Sequence, residues 1–401
     1  MLSIAEARAR VLDSLVPVPS EIVGLADAWG RVTATPVVAR VTQPPQDVSA
    51  MDGFAVRAAE AGLGARLRVV GMAPAGHPWS GTLAPGQTVQ LFTGSIMPDG
   101  ADSVVIQEDI TAGGDWITVN EAAAHGRHIR RGGQDFGIGT VLLPAGRKLT
   151  ARDIGLVAAG NHPWVTVHRR PRIAILATGD EIALPGDPIP AGGIVSSNAH
   201  SLAALVRAAG GEPIVLPIAL DDLVAIAAGA DAARGADLLV TTGGASVGAY
   251  DLLQAGLAQR GMSLDFWKIA MRPGKPLMLG RIGELPILGL PGNPVSALVC
   301  AVIFLLPALA RLSGLPTAAT PAVAAILGAP LPANDRRADH LRATVTETET
   351  GVLVATAFER QDSAMMRLMT QAGGLILREP FAPAAGAGEA VRLIRLDILG
   401  L

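Results

Sequence analysis

The stretch RIAILATGDE, residues 172–181, decides the fold, because it is a short apolar run that ends in glycine and two acids. Three other stretches have the same form: PIVLPIALDD (213–222), DLLVTTGG (237–244) and PILGLPGNP (286–294). Short apolar runs bounded by turn residues are typical of parallel strands that are buried on both faces. We therefore predict a parallel sheet in the middle of the chain.

Helical patterns lie between these apolar runs. Apolar residues at positions i, i+3 and i+4 follow Asn198, a candidate N-cap, and the next pattern follows a pair of aspartates that ends at Asp222. Strands that alternate with helices predict a doubly wound α/β domain over residues 170–315. The flanks, 46–136 and 316–401, show period-two stretches between glycines and prolines, which predicts β-rich lobes.

Composition and charge restrict the classes of partner. The net charge of −3 gives no overall attraction for nucleic acid or an anionic membrane, so an anion must be bound by a local cluster. The single cysteine, Cys300, excludes a disulfide framework and a multi-cysteine zinc site. Residues 1–16 lack the pattern of a signal peptide and predict an amphipathic helix with a capping box at Ser3 and Glu6. We therefore expect a cytoplasmic protein.

The run 295–310 is the membrane candidate in this sequence. It is shorter than the ~20 residues that a membrane span needs, and it contains Pro307. We predict that it is a buried core helix and that the protein does not enter a membrane.

Two motifs follow predicted strands at the edge where open α/β sheets bind their ligands. TGDE (178–181) offers two carboxylates that could hold a hard cation, although a solvated turn with a helix cap explains the motif better when it is taken alone. In GGASVGAYD (243–251), glycine N–H groups could face an anion, Ser246 adds a hydroxyl group, and Asp251 either caps a helix or binds a metal. This motif is neither a Walker loop nor GxGxxG, so it does not predict a common nucleotide fold.

A turn and a basic segment form a second pair of motifs. LPGNPVS (290–296) closes a predicted strand and opens a helix, with Asn293 as the expected N-cap and Pro294 at the first helical position. The segment KIAMRPGKP (268–276) carries three cations: Lys268, Arg272 and Lys275. In an acidic protein this cluster favours an anion site, and the alternative is a solvated basic turn.

Seven motifs connect the chain to a known family. They are SAMDGFAV (49–56), TGSIMP (93–98), RRGGQD (130–135), TGDE (178–181), GGASVG (243–248), RPGKP (272–276) and LPGNPVSA (290–297). With these motifs the chain resembles the molybdenum insertases, the molybdopterin molybdenumtransferases of the MoeA and gephyrin E-domain type. The resemblance spans nearly the whole chain, and an ordered set of motifs is far more specific than any one of them.

The resemblance implies four subdomains and a homodimer whose active cleft lies across the subunit boundary. The expected domains are a segmented N-terminal domain (1–45 and 137–169), an inserted β-rich lobe (46–136), a molybdopterin-binding α/β domain (170–315) and a C-terminal β-domain (316–401). The expected fold class is therefore α/β and multidomain, with a central doubly wound domain flanked by β-rich lobes.

The implied reaction inserts molybdate into adenylylated molybdopterin and releases AMP. The pterin substrate supplies its own thiolates, so one cysteine in the chain is no obstacle. Its phosphate bridge requires N–H donors, cations and Mg²⁺. By resemblance, the acidic group that holds Mg²⁺ and acts at the diphosphate is Glu181, Asp221 and Asp251. The implied anion clamp is Lys268, Arg272 and Lys275, with Arg272 standing where many relatives have lysine.

The remaining implied site residues surround the oxyanion, the pterin substrate or the partner's cleft. Ser296, Arg342 and Ser363 resemble positions around the molybdate. The other implied cofactor-binding positions are Thr93, Asp135, Thr178, Gly243, Gly244, Ser246, Gly248, Pro291, Gly292, Asn293 and Pro294. Asp52, Thr93 and Asp135 are implied to face the neighbouring subunit's cleft. The residues alone predict only a turn in which Asp52 bonds to its own backbone.

Three alternatives stay open. The molybdopterin adenylyltransferase acts one step earlier, shares the GGxS and PGxP features, and is also a candidate partner. A non-catalytic scaffold is the second alternative, because the eukaryotic relative also binds receptor tails. Tungstate could replace molybdate, since the two oxyanions are nearly equal in size and charge.

Overall fold

The chain begins with one helix and two short strands. The structure, a computed structural model, describes residues 1–243, 249–316 and 320–399, with only the backbone of 249–251. The first elements are α1 (Ile4–Asp13), β1 (Ser20–Gly24) and β2 (Val37–Val38). The predicted capping box is present, because Ser3 N donates to Glu6 Oε2 (2.8 Å) and Glu6 N donates to Ser3 Oγ (3.2 Å). Helix α1 packs Val11 into the core of the central domain.

The strands between Val48 and Arg130 form a β-rich lobe, and its predicted bounds, 46–136, stay a prediction. Its strands are β3 (Val48–Ser49), β4 (Gly53–Val56), β5 (Arg66–Ala73), β6 (Gln87–Leu91), β7 (Ser103–Ile106), β8 (Ile110–Gly113), β9 (Trp116–Val119) and β10 (Ile129–Arg130). Six of them form one sheet in the order β7-β4-β6-β5-β9-β8, and β3 pairs with β10. Phe54, Val105 and Ile117 lie in one apolar cluster of the lobe, and Leu83 and Val89 lie in another.

Residues 137–169 return to the first part of the chain. They form β11 (Val141–Leu143), α2 (Ala151–Ala159) and β12 (Trp164–His168). Strand β12 pairs antiparallel with β1, β11 pairs with β2, and Val37, Leu143 and Val157 share one apolar core. The inserted lobe thus interrupts one packed unit in sequence, and the boundaries given above for the domains stay predictions.

The central α/β domain follows. Its elements are β13 (Arg172–Thr178), β14 (Ile182–Ala183), β15 (Ile194–Val195), α3 (Asn198–Ala208), β16 (Glu212–Val215), α4 (Leu223–Ala232), β17 (Leu238–Gly243), α5 (Ala249–Ala258), β18 (Met262–Trp267), β19 (Met271–Arg272), β20 (Met278–Ile282), β21 (Leu285–Leu290), α6 (Pro294–Cys300) and α7 (Leu306–Leu312). The main sheet has the order β16-β13-β17-β21-β20-β18. The first four strands are parallel, which confirms the predicted sheet, and β20 and β18 add an antiparallel edge that was not predicted.

The two helix starts predicted in this domain have different outcomes. Asp222 is the N-cap of α4, and its Oδ1 accepts from the N–H groups of Val224 (2.8 Å) and Ala225 (2.9 Å). Helix α3 instead begins at Asn198, and Ser197 occupies the N-cap position. The prediction of Asn198 as N-cap was wrong, because its side chain bonds to two other segments of the fold.

A long apolar helical run crosses the core of the central domain. It consists of α6, a π-helical segment (Ala301–Leu305) and α7. The run Pro294–Leu312 is long and apolar enough to cross a membrane, but Val295, Phe304 and Leu309 are buried in the core. It is therefore the buried helix that the sequence predicts.

The C-terminal strands form a sheet that closes on itself. The elements are β22 (Val323–Leu327), β23 (Ala338–Glu347), β24 (Leu353–Ala357), α8 (Met366–Gln371), β25 (Gly374–Arg378) and β26 (Ala390–Arg395). The order is β19-β23-β24-β22-β26-β25, and β25 also pairs with β23. Strand β19, from the basic segment of the central domain, pairs in parallel with β23 and so joins the two domains.

Candidate active site

A cleft of about 950 Å³ lies where β13, β17 and β21 end. Ala177 of β13, Thr242 of β17 and Pro291 after β21 contribute to its walls. This is the edge at which open α/β sheets bind ligands. The structure brings many of the predicted site residues to this cleft: Glu181, Asp221, Gly243, Pro291, Gly292, Asn293, Pro294 and Ser296.

Three carboxylates form an acidic wall, which consists of Asp180, Glu181 and Asp221. Glu181 and Asp221 line the cleft, and the N–H group of Asp221 donates to Asp180 Oδ1 over 2.9 Å. Partial burial raises the pKa of Asp221, and the negative charges of Asp180 and Glu181 raise it further. The acidic wall therefore concentrates negative charge that a bound cation would neutralise.

The donor atoms of the acidic wall suit Mg²⁺, because this cation prefers carboxylate oxygens. Two of the three predicted ligands, Glu181 and Asp221, share the cleft. The side chain of the third, Asp251, lies outside the described residues. Among the side chains that the structure describes, no group of three histidines, cysteines or acids could hold a metal ion. A complete magnesium site therefore needs a donor beyond the acidic wall.

The turn after β21 lines the same cleft. Asn293 occupies the N-cap position of α6 and Pro294 the first helical position, as predicted. The side chain of Asn293 does not cap the helix; its Nδ2 donates to Ser363 Oγ over 3.0 Å instead. The N–H group of Val295 donates to Ser363 O over 3.1 Å. These bonds bring Ser363, a predicted oxyanion residue, against the turn that carries Ser296.

Arg342 lies beneath the loop that carries Ser363. Its side chain is 1% exposed, and its guanidinium group donates to the carbonyls of Asp362 (2.8 Å), Met365 (3.3 Å) and Arg360 (3.4 Å). Burial lowers the pKa of Arg342. In this structure Arg342 holds the loop in place, and its predicted contact with molybdate stays a prediction.

The three predicted clamp cations have different environments. Arg272 bonds to Asp339, with Nε to Oδ1 at 2.8 Å, and Asp339 raises the pKa of Arg272. The charge of Arg272 is therefore largely neutralised within the chain. The Nζ atom of Lys268 lies 3.7 Å from the ring centroid of Trp267, which is a cation–π contact. Lys275 is exposed, and the residue after it, Pro276, lines the cleft.

The motif after β17 is described only at its two ends. Gly243 lines the cleft, at φ 114°, and an added Cβ would lie 2.1 Å from Thr178 O. Thr178 is buried at the end of β13, next to this glycine. The predicted positions Gly244, Ser246 and Gly248 lie outside the described residues.

Asp52 belongs to the inserted lobe rather than to the cleft of its own chain. Its Oδ1 accepts from Thr93 N (2.7 Å) and from Thr93 Oγ1 (2.9 Å), and these bonds lower the pKa of Asp52. The prediction that Asp52 bonds to its own backbone was therefore wrong. The reason is that β4 and β6 bring the loop at Thr93 beside it. Asp135 is exposed in the same part of the chain, and its role towards a partner stays a prediction.

Two residues of this region were missed as site residues. Asp180 is one of the two TGDE carboxylates that could hold a cation but is not among the predicted site residues, although it lies beside Asp221. Asn198 was treated only as a helix cap, yet its Nδ2 donates to Thr242 Oγ1 (2.8 Å) and Gly292 O (2.6 Å). The sequence signal for a role of Asn198 in the site is its position just before a predicted helix, at the carboxyl edge of the sheet.

Three family models match consecutive parts of the chain. The MoeA N-terminal region (domain I and II) matches residues 2–160, a probable molybdopterin binding domain matches 174–311, and the MoeA C-terminal region (domain IV) matches 324–396. Together these matches cover most of the chain in the order of one family.

Curated relatives and a solved structure that are similar to this chain are also named for molybdenum transfer or molybdopterin biosynthesis. A molybdopterin molybdenumtransferase from Nostoc sp. is 40% identical over 77% of this chain and 74% of its own length. Molybdopterin molybdenumtransferase 2 from Mycobacterium tuberculosis is 36% identical over 94% of this chain and 95% of its own. A molybdopterin biosynthesis MoeA protein from Pyrococcus horikoshii has a TM-score of 0.84 at 26% identity, covering 98% of this chain and 99% of that chain.

Proposed function

This chain belongs to the molybdopterin molybdenumtransferase family and is a transferase of molybdenum cofactor biosynthesis, and from that premise we propose that its cleft inserts molybdate into adenylylated molybdopterin with release of AMP. One observation carries the proposal. Two carboxylates of the acidic wall and the turn that opens α6 line one cleft of about 950 Å³. A substrate with a phosphate bridge needs both a cation site and hydrogen-bond donors, because they must share its negative charge.

We assign the acidic wall to the phosphate bridge. Glu181 and Asp221, together with Asp251, would hold Mg²⁺, and Asp180 would fix the loop of Asp221 through its backbone bond. When bound, Mg²⁺ supplies charge neutralisation at the phosphate oxygens. The raised pKa of Asp221 fits this role, since a group crowded by negative charge gains most from a cation.

We assign the turn after β21 to the oxyanion. Ser296 lines the cleft, and Ser363 is held against Asn293 of the same turn. Hydroxyl groups can donate to molybdate, a tetrahedral dianion. Arg342 orders the loop of Ser363 from below, and Lys275 is the exposed cation closest in sequence to the cleft residue Pro276. The clamp would therefore depend more on Lys275 than on Arg272, whose charge Asp339 neutralises.

We further propose that the protein acts as a homodimer with two composite sites. Asp52 and Thr93 are joined to each other in the β-rich lobe and do not line the cleft of their own chain. In a symmetric pair, each lobe could contact the partner's cleft. Asp52, Thr93 and Asp135 would then complete the partner's site.

The test is AMP release from adenylylated molybdopterin by the purified protein, with molybdate and Mg²⁺ varied. Asp221→Asn should lower the rate by at least the ~10- to 100-fold that loss of a residue supporting a metal ligand costs, and should raise the Mg²⁺ requirement. Asp187→Asn is the matched control, because Asp187 is an exposed carboxylate of the same domain. Equal rates for both variants would contradict the role of the acidic wall. ATP-dependent adenylylation of molybdopterin would instead support the adenylyltransferase alternative.

A further inference from the structure

The side-chain amide of Asn198 is the polar group of the cleft that the assignments above leave unexplained. Asn198 is the first residue of α3 and lines the cleft. Its Nδ2 donates to Thr242 Oγ1 over 2.8 Å and to Gly292 O over 2.6 Å. Its Oδ1 is buried and has no hydrogen-bond partner within the part of the chain that the structure describes. A buried acceptor without a donor is rare in folded proteins and calls for an explanation.

The neighbours of Asn198 fix the orientation of its amide. Gly292 O is a carbonyl oxygen, so it can only accept. Thr242 Oγ1 donates its single hydrogen to Pro291 O over 3.2 Å, which leaves only its lone pairs for Asn198. A flipped amide would place Oδ1 against the Gly292 carbonyl. The oxygen is therefore the acceptor that still needs a donor.

The chemistry of the acceptor excludes one part of the substrate. The oxygens of molybdate and of the phosphate bridge carry no hydrogen at neutral pH, so they cannot donate to Oδ1. The organic part carries the donors, which are N–H groups on the pterin and adenine rings and hydroxyl groups on the ribose. We propose that Asn198 Oδ1 accepts a hydrogen bond from an N–H group of the substrate heterocycle and so determines specificity for the organic substrate. This inference rests on the proposed function.

Ligand pairs that differ by one N–H group test the inference without catalysis. One pair is AMP and purine riboside 5′-monophosphate, which lacks the amino group; the other is 6-hydroxymethylpterin and its 3-methyl derivative. Calorimetry would give Kd values for wild type and for Asn198→Ala. In one pair, wild type should prefer the N–H ligand by about 5- to 150-fold, the range for an unsatisfied buried acceptor. Asn198→Ala should bind both members equally, and the pair that responds identifies the ring.

Thr241→Val is the matched control. Thr241 lies beside Thr242 on β17, and its buried Oγ1 also has no partner among the described residues, but it does not line the cleft. This variant should keep the preference of the wild type. If Asn198 only holds the Gly292 turn, Asn198→Ala will weaken all ligands by one factor and keep the wild-type preference, which would overturn the inference. Wild type that binds none of the four ligands would contradict the proposed function itself, and the inference with it.

Discussion

Two side chains on β23 show how burial changes the chemistry of single residues. His340 and Arg342 both lie in the interior, at 5% and 1% exposure. Burial lowers the pKa of Arg342, and its guanidinium group donates to three backbone carbonyls. Burial lowers the pKa of His340 to about 4, because the imidazolium form would lose its hydration. The folded state therefore favours neutral His340 above about pH 4.

We expect His340 to make the protein sensitive to mild acid. As pH falls from about 6.5 towards 4, the unfolded chain binds a proton that the folded chain cannot bind, so the free energy of unfolding falls. The full loss in the free energy of unfolding is on the order of 3 kcal/mol, and it is reached below about pH 4. Chemical denaturation at pH values between about 7 and 4 measures the change in the free energy of unfolding. The free energy of unfolding of His340→Gln should depend less steeply on pH than that of the wild type.

Replacement of an exposed histidine is the control for that experiment. His77 lies in an exposed loop, where water surrounds it in both states, so His77→Gln should keep the slope of the wild type. A slope for His340→Gln equal to that of the wild type would show that other groups cause the acid sensitivity.

At the scale of elements, the junction of β13 and β17 determines the shape of the cleft. Strand β17 ends at Gly243 with φ 114°, and an added Cβ would lie 2.1 Å from Thr178 O. Gly243→Ala should destabilise the fold by more than the ~1–3 kcal/mol of backbone strain, because the Thr178 carbonyl must also move. Gly235→Ala, at φ 88° with nothing within 4 Å, should show the strain alone. Urea denaturation measures the free energy of unfolding of both variants. If both lose the same amount, the close approach to Thr178 O adds nothing to the strain at Gly243.

The parallel strands could be predicted because burial on both faces leaves a continuous apolar run in the sequence. Strands β18 and β20 could not, since β18 lies at the sheet edge with three consecutive exposed residues and only Phe266 buried, so it has no continuous apolar run. Strands β1 and β12 pair although the inserted lobe separates them in sequence, and no local sequence pattern predicts such a distant pairing. In the cleft, Glu181 and Asp221 were named by resemblance, and the structure places both there, while their roles stay predictions. The sequence predicts Asn198 as a helix cap, whereas its side chain donates to another segment of the cleft. The residue type does not separate these roles, because the residues that cap helices also serve as side-chain donors.

At the scale of the whole molecule, the proposed site is divided between two surfaces. The acidic wall and the turn belong to the central domain, whereas Asp52 and Thr93 belong to the β-rich lobe. Two bonds from Thr93 lower the pKa of Asp52, so a carboxylate is present at the exposed surface of the lobe. A charged side chain held at a fixed orientation on a separate lobe suits contact with the cleft of another subunit.

Mixing two inactive variants tests this division. Asp52→Ala removes the carboxylate of the lobe, and Asp221→Ala removes one acid of the cleft. In a mixed dimer with composite sites, one site carries both changes and the other carries neither, so the intact site should work. About half of the dimers in a random mixture are mixed, and each regains one site of two, so about a quarter of the wild-type AMP release should return. Differently tagged chains that purify together show that subunits exchange. If mixed dimers form and the rate stays at the level of either variant, each site lies within one chain, and Asp52 serves only the loop of Thr93.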